Sequence, residues 1–138
     1  MEINIKGNLL DLNKPRIMGI LNVTPDSFFD GGKYSTNDKI LKQVEKMINS
    51  GADIIDIGGE SSRPGAQKIS VADEKNRVIG AIQQLNNCKT NTLISLDSRN
   101  LSTMKKSHKI GVDIFNDITA FKERNKIEFV SKIGSPII

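Results

Sequence analysis

The stretch Asp53-Ile-Ile-Asp-Ile-Gly58 is short, β-branched and apolar at positions that fall on both faces of an extended chain. A strand with no polar face cannot lie against water on either side, so it belongs in a parallel sheet flanked by helices. Immediately before it, residues 36–50 have helical period, with Ile40, Leu41, Val44, Met47 and Ile48 on one face and Gly51 as a C-terminal stop. Immediately after it, Gly58-Gly-Glu-Ser-Ser-Arg-Pro-Gly65 forms a loop longer than a strand-to-helix connection needs.

The same unit recurs along the chain. Residues 16–23 read as a first strand, 53–58 as a second, 92–96 as a third and 112–118 as a fourth. Ser70, with Asp73 and Glu74, supplies an N-cap and an acidic first turn for a helix that runs to about residue 86 on Val78, Ile79, Ile82 and Leu85. A shorter helix over 101–109 is capped by Asn100 and closed by Gly111, and a last one over 124–133 ends at Gly134. Pro136-Ile-Ile138 reads as the onset of a fifth strand. Regular strand–helix alternation predicts an α/β fold with a parallel sheet, either a barrel or a doubly wound sheet. Ile3 to Leu12, two apolar runs around Gly7-Asn8, predicts a hairpin that covers the N-terminal end of a barrel and favours that architecture.

At 138 residues and 15.2 kDa, with 37% hydrophobic content, the chain has the size of one globular domain, and 1–138 is taken as a single unit. No apolar run is long enough for a membrane span, and Met1-Glu-Ile-Asn-Ile-Lys lacks the layout of a signal peptide, so a cytoplasmic location is expected. Without secretion, the sequon Asn22-Val-Thr24 has no use as a glycosylation site. One cysteine, Cys88, excludes an internal disulfide and a cysteine-based zinc site, and it reads as a buried or spare thiol. The net charge of +4 comes from dispersed lysines with few aromatics, which argues against nucleic-acid binding and suits attraction of a small anion.

In either parallel architecture the functional end is the carboxyl end of the strands. All four strands end in polar residues: Asn22; Asp56 and the Gly-Gly loop; Asp97-Ser98-Arg99; Asn116-Asp117. Singly, each could cap a helix or start a turn. Their coincidence at four consecutive strand ends, beside two long loops, points to one shared mouth. The first loop carries Asp26, Phe28, Phe29 and Asp30, and the second Ser61, Ser62, Arg63 and Pro64. Aromatic rings there can face a planar substrate, and Arg63 can grip an anion bidentately, although one of the phenylalanines is expected simply to pack under its loop. His108 lies on the third helix, away from the mouth, in a solvent-facing or helix-terminal position.

Met18-Gly-Ile-Leu-Asn-Val-Thr-Pro-Asp-Ser-Phe28 with Asp30-Gly-Gly32, Ile55-Asp-Ile-Gly-Gly-Glu-Ser-Ser-Arg-Pro-Gly65, Ser95-Leu-Asp97 and Phe115-Asn-Asp117 closely resemble the motifs of the dihydropteroate synthase family. The resemblance implies a (β/α)8 TIM barrel and the condensation of dihydropterin-methyl pyrophosphate with para-aminobenzoate, releasing pyrophosphate, in folate biosynthesis. By position it implies that Asn22 helps hold Mg2+ on the departing pyrophosphate, and that Asp97 and Asn116 hydrogen-bond the pterin. Ser62 would contact the pyrophosphate substrate, with Asp26 near the metal. Phe28, Ser61, Arg63 and Pro64 would form the aminobenzoate pocket on mobile loops. Asp97, Asp26 and Arg63 are then the catalytic candidates. Ser98-Arg99-Asn100 and Ser62 depart from the family's usual Thr-Lys-Pro and Thr, keeping a hydroxyl at both serines.

Length is the larger departure, since a (β/α)8 barrel takes about 250 residues. The resemblance therefore implies the N-terminal half-barrel of a synthase, about four βα units, with open edges and little or no activity on its own. It leaves as alternatives a split-enzyme half needing a complementing C-terminal half, a homo-oligomer, a non-catalytic pterin-binding remnant and a pterin-dependent methyltransferase. The start of a buried strand at Ser135-Pro-Ile-Ile138 is read in the same way, as a fragment.

Overall fold

The computed structural model describes residues 1–24, 36–60, 68–88 and 90–138. Strands β1 (Glu2–Ile5) and β2 (Asn8–Asp11) form the expected hairpin, in the register Glu2↔Asp11 and Ile5↔Asn8. Its turn is Lys6-Gly7, one residue earlier than the sequence suggested. A two-residue loop that follows the strand twist needs positive φ at both central residues, here 50° and 90°, and only the second is free for a glycine. The Asn4 side chain steadies the turn by accepting the Gly7 N–H at 2.8 Å.

Four parallel strands follow, β3 (Met18–Asn22), β4 (Ile54–Gly58), β5 (Leu93–Asp97) and β6 (Ile114–Asn116), paired in chain order. Helices α1 (Thr36–Asn49), α2 (Val71–Asn87), α3 (Leu101–Lys109) and α4 (Arg124–Ile133) connect or follow them. A doubly wound sheet reverses its strand order at a switch point; this one does not. Right-handed crossovers in unbroken order lay every helix on the same face, and each helix packs on the next. The result is a segment of barrel wall. Residues 136–138 add the beginning of a further parallel strand: Phe115 N–H donates to Pro136 O and Ile138 N–H to Phe115 O, at 3.1 and 2.9 Å.

Strand β6 is shorter than the expected 112–118. The Val112 N–H is spent on Ser107 O at the end of α3, and beyond Asn116 the Asp117 side chain turns the chain by accepting the Thr119 N–H at 2.9 Å. Elsewhere the caps behave as expected. Ser70 accepts the Asp73 N–H at 3.0 Å, and Gly134 closes α4 at φ 63°. Cys88 caps α2 with its thiol toward Gln84 O. No helix among the described residues is long and apolar enough to cross a membrane.

The two faces of the sheet differ. Toward the helices, Leu21, Ile57, Leu96 and Phe115 pack with Val44, Val78, Ile82, Met104 and Val130 in one core. On the inner face, the lower end is closed by the hairpin: Ile5 meets Ile54 and Ile114, with Ile3, Leu10, Met18 and Leu93 around them. The expected cover at the N-terminal end is therefore in place. Two carboxylates lock the same end. Asp53 accepts the Ile17 N–H and Arg16 Nη1, both at 2.9 Å, and those two bonds hold its carboxyl below the usual range. Asp113 repeats the device, accepting the Ile94 N–H at 2.9 Å and Lys6 Nζ at 2.7 Å.

Candidate functional site

Strand pairing brings Asn22, Gly58, Asp97 and Asn116 into one register row across β3–β6. Registered neighbours in a parallel sheet point the same way, so Asn22, Asp97 and Asn116 leave the inner face together at its carboxyl end. Gly58 keeps the space between them open: a Cβ there would lie 3.4 Å from Asn22 Oδ1 and 3.6 Å from Asp97 Oδ2. One row lower run Ile20, Asp56, Ser95 and Ile114. Asp56 is 5% exposed and its Oδ2 accepts Asn116 Nδ2 at 3.0 Å; its Oδ1, like the buried Ser95 Oγ, has no partner among the described residues.

Asp97 titrates unusually. Burial pushes its carboxyl up, and the like charges of Asp56, Asp117 and Glu74 push it further, to about 6, against a smaller opposing pull from Arg99. Arg99 is itself engaged by Glu60. A carboxylate poised near neutrality in a polar mouth, bonded to no cation among the described residues, is a common mark of a working site.

The loops behind the mouth are fastened by buried charge. Glu74 is 2% exposed and accepts Ser98 Oγ (2.6 Å), Asn100 Nδ2 (2.8 Å) and Thr103 Oγ1 (2.9 Å), so one carboxylate fixes the segment that follows Asp97. Asn100 stands at the N-cap of α3 as expected, but its side chain makes no capping bond, and its Nδ2 donates to Glu74. On the next loop, Lys126 donates to Asp117 at 2.8 Å, both side chains being fully buried. Burial pushes Asp117 up and Lys126 down, yet their mutual bond prevails: Asp117 lies below its ordinary value and Lys126 above.

Of the residues singled out from sequence, Asn22, Asp97 and Asn116 are brought together, with Asn22 at the open edge. Asp26, Phe28, Phe29, Asp30, Ser61, Ser62, Arg63 and Pro64 lie outside the described residues. His108 sits in the last turn of α3, away from the mouth, edge-on to Phe129 with ring centroids 6.0 Å apart. Glu74 and Lys126 were missed, and both carried a signal. Each shares a helical face with apolar residues, Glu74 with Val78 and Ile82, Lys126 with Val130, and a charge on a buried stripe must be answered by partners.

The sequence over residues 18–138 matches the family described as pterin binding enzyme. Dihydropteroate synthase of Haemophilus influenzae is 44% identical over 137 residues, an alignment covering 99% of this chain and 50% of that protein. Among solved structures, Xanthomonas albilineans dihydropteroate synthase with 4-aminobenzoic acid superimposes with a TM-score of 0.89 at 36% identity, again over 99% of this chain and 50% of the other. The same enzyme in complex with 7,8-dihydropteroate gives 0.85 at 32%, over 99% and 49%. The chain spans about half the length of the relatives it matches, and its one-sided parallel sheet is half of a (β/α)8 barrel. From the start of β3 onward the match is continuous, and the chain belongs to the pterin-binding enzyme family.

Proposed function

We propose that this chain supplies half of a dihydropteroate synthase site: the half that binds the pterin and steadies the charge that develops on it. The observation that carries this reading is the inner-face row of Asn22, Asp97 and Asn116, with the Asp97 carboxyl raised to about 6 and bonded to no cation among the described residues. Support comes from the relatives, which are named as dihydropteroate synthases, and from the 4-aminobenzoic acid and 7,8-dihydropteroate held by the Xanthomonas enzyme.

In the reaction, the C–O bond between the pterin methylene and pyrophosphate breaks, the arylamine nitrogen bonds to that carbon, and a proton leaves the nitrogen. Asp97, ionised above about pH 6, stabilises the electron-poor methylene in a partly desolvated mouth, so no covalent nucleophile is needed. Asn116 orients the ring. By motif position, Asp26, Ser62 and Arg63 serve the pyrophosphate end, and Phe28, Ser61 and Pro64 the aminobenzoate.

Magnesium fits the donor set at the edge, where Asn22 Oδ1 and Asp97 Oδ2 flank the space above Gly58. When bound there, a hard cation would neutralise charge on the leaving pyrophosphate. No group of three or more His, Cys, Asp or Glu able to hold a metal occurs among the described residues, so Asn22 would share the ion with substrate oxygens. The partner is a complementing half or a second copy: the relatives are about twice as long, and Ile20 is 64% exposed on the inner face of β3. Chemistry of this kind, together with the lone thiol, fits the cytoplasm.

The test is pyrophosphate release from dihydropterin pyrophosphate and 4-aminobenzoate, by the chain alone and mixed with a C-terminal half from a full-length relative. We expect little or no turnover alone and restored turnover in the mixture, abolished by Asp97→Asn. Robust turnover alone would refute the need for a second half; a stable complex without turnover would refute the synthase reading.

A further inference from the structure

At the lower end of the sheet, away from the mouth, a cavity of about 320 Å³ lies between the hairpin turn, the last turns of α3 and α4 and the links that lead from those helices to the next strands. Val112, Ile133 and Pro136 make part of its wall apolar, while Asn4, Lys6 and His108 bring polar groups. A cavity of that size, apolar with a few convergent polar groups, has the makeup of a small-molecule site. The valences left open on those polar groups are chiefly donors. Lys6 Nζ gives one hydrogen to Asp113 Oδ1 and one to Gly111 O, both at 2.7 Å, and an ammonium has a third. Asn4 Oδ1 takes the Gly7 N–H, and the NH2 of the same amide has no partner among the described residues. His108 Nδ1 is buried and unpartnered among the described residues, so Nε2 is the ring nitrogen that an entering group can meet. Asp113, the carboxylate on this wall, is already spent on Lys6 and the Ile94 N–H. Charge has the same sense, since Lys109 and Lys132 adjoin His108 and Ile133 in the last turns of α3 and α4. The place of Lys6 is a second observation: φ 50° in a two-residue turn suits Asn or Gly, and this turn forgoes both to set an ammonium at the cavity.

We infer that this cavity binds a small organic anion, a carboxylate on a compact apolar body: Lys6, Asn4 and His108 hold the carboxylate, and Val112, Ile133 and Pro136 cover the body. The ammonium supplies a charge-assisted bond, and the amide and imidazole share the remaining lone pairs of the two oxygens. A bare phosphate fits less well, because no arginine and no helix N-terminus lines the cavity among the described residues, and the apolar wall would be left uncovered. A ligand there does not touch Asp97, so the site stands whatever reaction the mouth serves.

The test is a magnetic-resonance titration of the isotope-labelled 138-residue chain, in which His108 is the one histidine and its ring signals need no assignment. The probes are cyclohexanecarboxylate, whose puckered ring is unlike the flat substrates of the mouth, and cyclohexanecarboxamide, the same body without the charge. Saturable shifts of the His108 ring and of the Val112 and Ile133 methyl groups are expected with the carboxylate, and binding about tenfold or more weaker with the carboxamide. Lys6→Asn removes the ammonium and puts at φ 50° a residue that the turn favours, so the variant should fold; its affinity for the carboxylate is expected to fall about tenfold or more. The absence of a saturable His108 shift in the parent chain overturns the inference, as does a carboxamide that binds as tightly as the carboxylate. A folded Lys6→Asn chain that binds the carboxylate unchanged overturns it too; if that variant does not fold, the two probes on the parent chain decide alone. Inorganic phosphate that displaces the carboxylate at equal concentration overturns the apolar half of the site.

Discussion

The carboxylates at the two ends of the sheet are treated in opposite ways. At the lower end, Asp53 and Asp113 each accept a backbone N–H from the neighbouring strand and pair with a cation. At the upper end, among the described residues, Asp97 is bonded to no cation and Asp56 Oδ1 has no hydrogen-bond partner. The lower pair fastens neighbouring strands. Asp97 sits where the like charges of Asp56, Asp117 and Glu74 raise the cost of its ionisation, which a chain selected for stability alone would avoid. Asp117 is the instructive exception, since it stands at the upper end but is fully answered by Lys126, and it belongs to a loop rather than to the mouth.

Converting that exception into an unanswered charge should have the largest effect. Lys126→Met leaves Asp117 buried and unpaired, and we expect a loss of about 3–5 kcal/mol in denaturant unfolding, partly recovered when Asp117→Asn is added. Next is Glu74→Ala, which strands the Ser98, Asn100 and Thr103 donors; a loss of about 1–3 kcal/mol is expected, with the mouth loosened as well. Asp97→Asn should separate function from stability. Pterin binding falls by about tenfold or more, while thermal stability at pH 7 rises.

The sign of that rise follows from the titration. A carboxyl held at about 6 in the folded chain, against an ordinary value of 3.8, binds more protons folded than unfolded. Its contribution therefore declines as pH climbs from about 4 to about 6, and the asparagine variant should lose that part of the slope. Asp53 has the opposite sign. Its carboxyl is lowered, so the stability it adds is present above about 4 and fades as acid carries the pH through the folded value. Asp53→Asn should cost less than about 1 kcal/mol at neutral pH, because the pair with Arg16 is partly solvated and the asparagine oxygen can still accept the Ile17 N–H. If Asp53→Asn proved as damaging as Lys126→Met, the contrast between solvated and buried pairs would not hold.

Much of this was legible from sequence, for physical reasons that differ by residue. Doubly apolar strands such as 54–58 and one-sided helices such as 124–133 announce themselves through period, and Asn22, Asp97 and Asn116 through their place at strand ends. The bond from Asp56 to Asn116 was hidden because it spans a sequence separation of sixty residues and skips a strand. Glu74 was read as helix-terminal charge because an acidic residue in a first turn already has a local explanation. What it binds depends on a loop that follows the next strand.

The hairpin at the start of the chain has a kinetic consequence. Lys6 donates to Gly111 O across a separation of 105 residues, and Ile5 packs against Ile114. Both contacts wait for residues more than a hundred positions further along the chain, so the hairpin is fastened late. Loop-closure entropy of that span is paid before any contact repays it, and the barrel wall zips strand by strand while its base waits. Substitutions in the hairpin should accordingly speed unfolding and leave the folding rate unchanged.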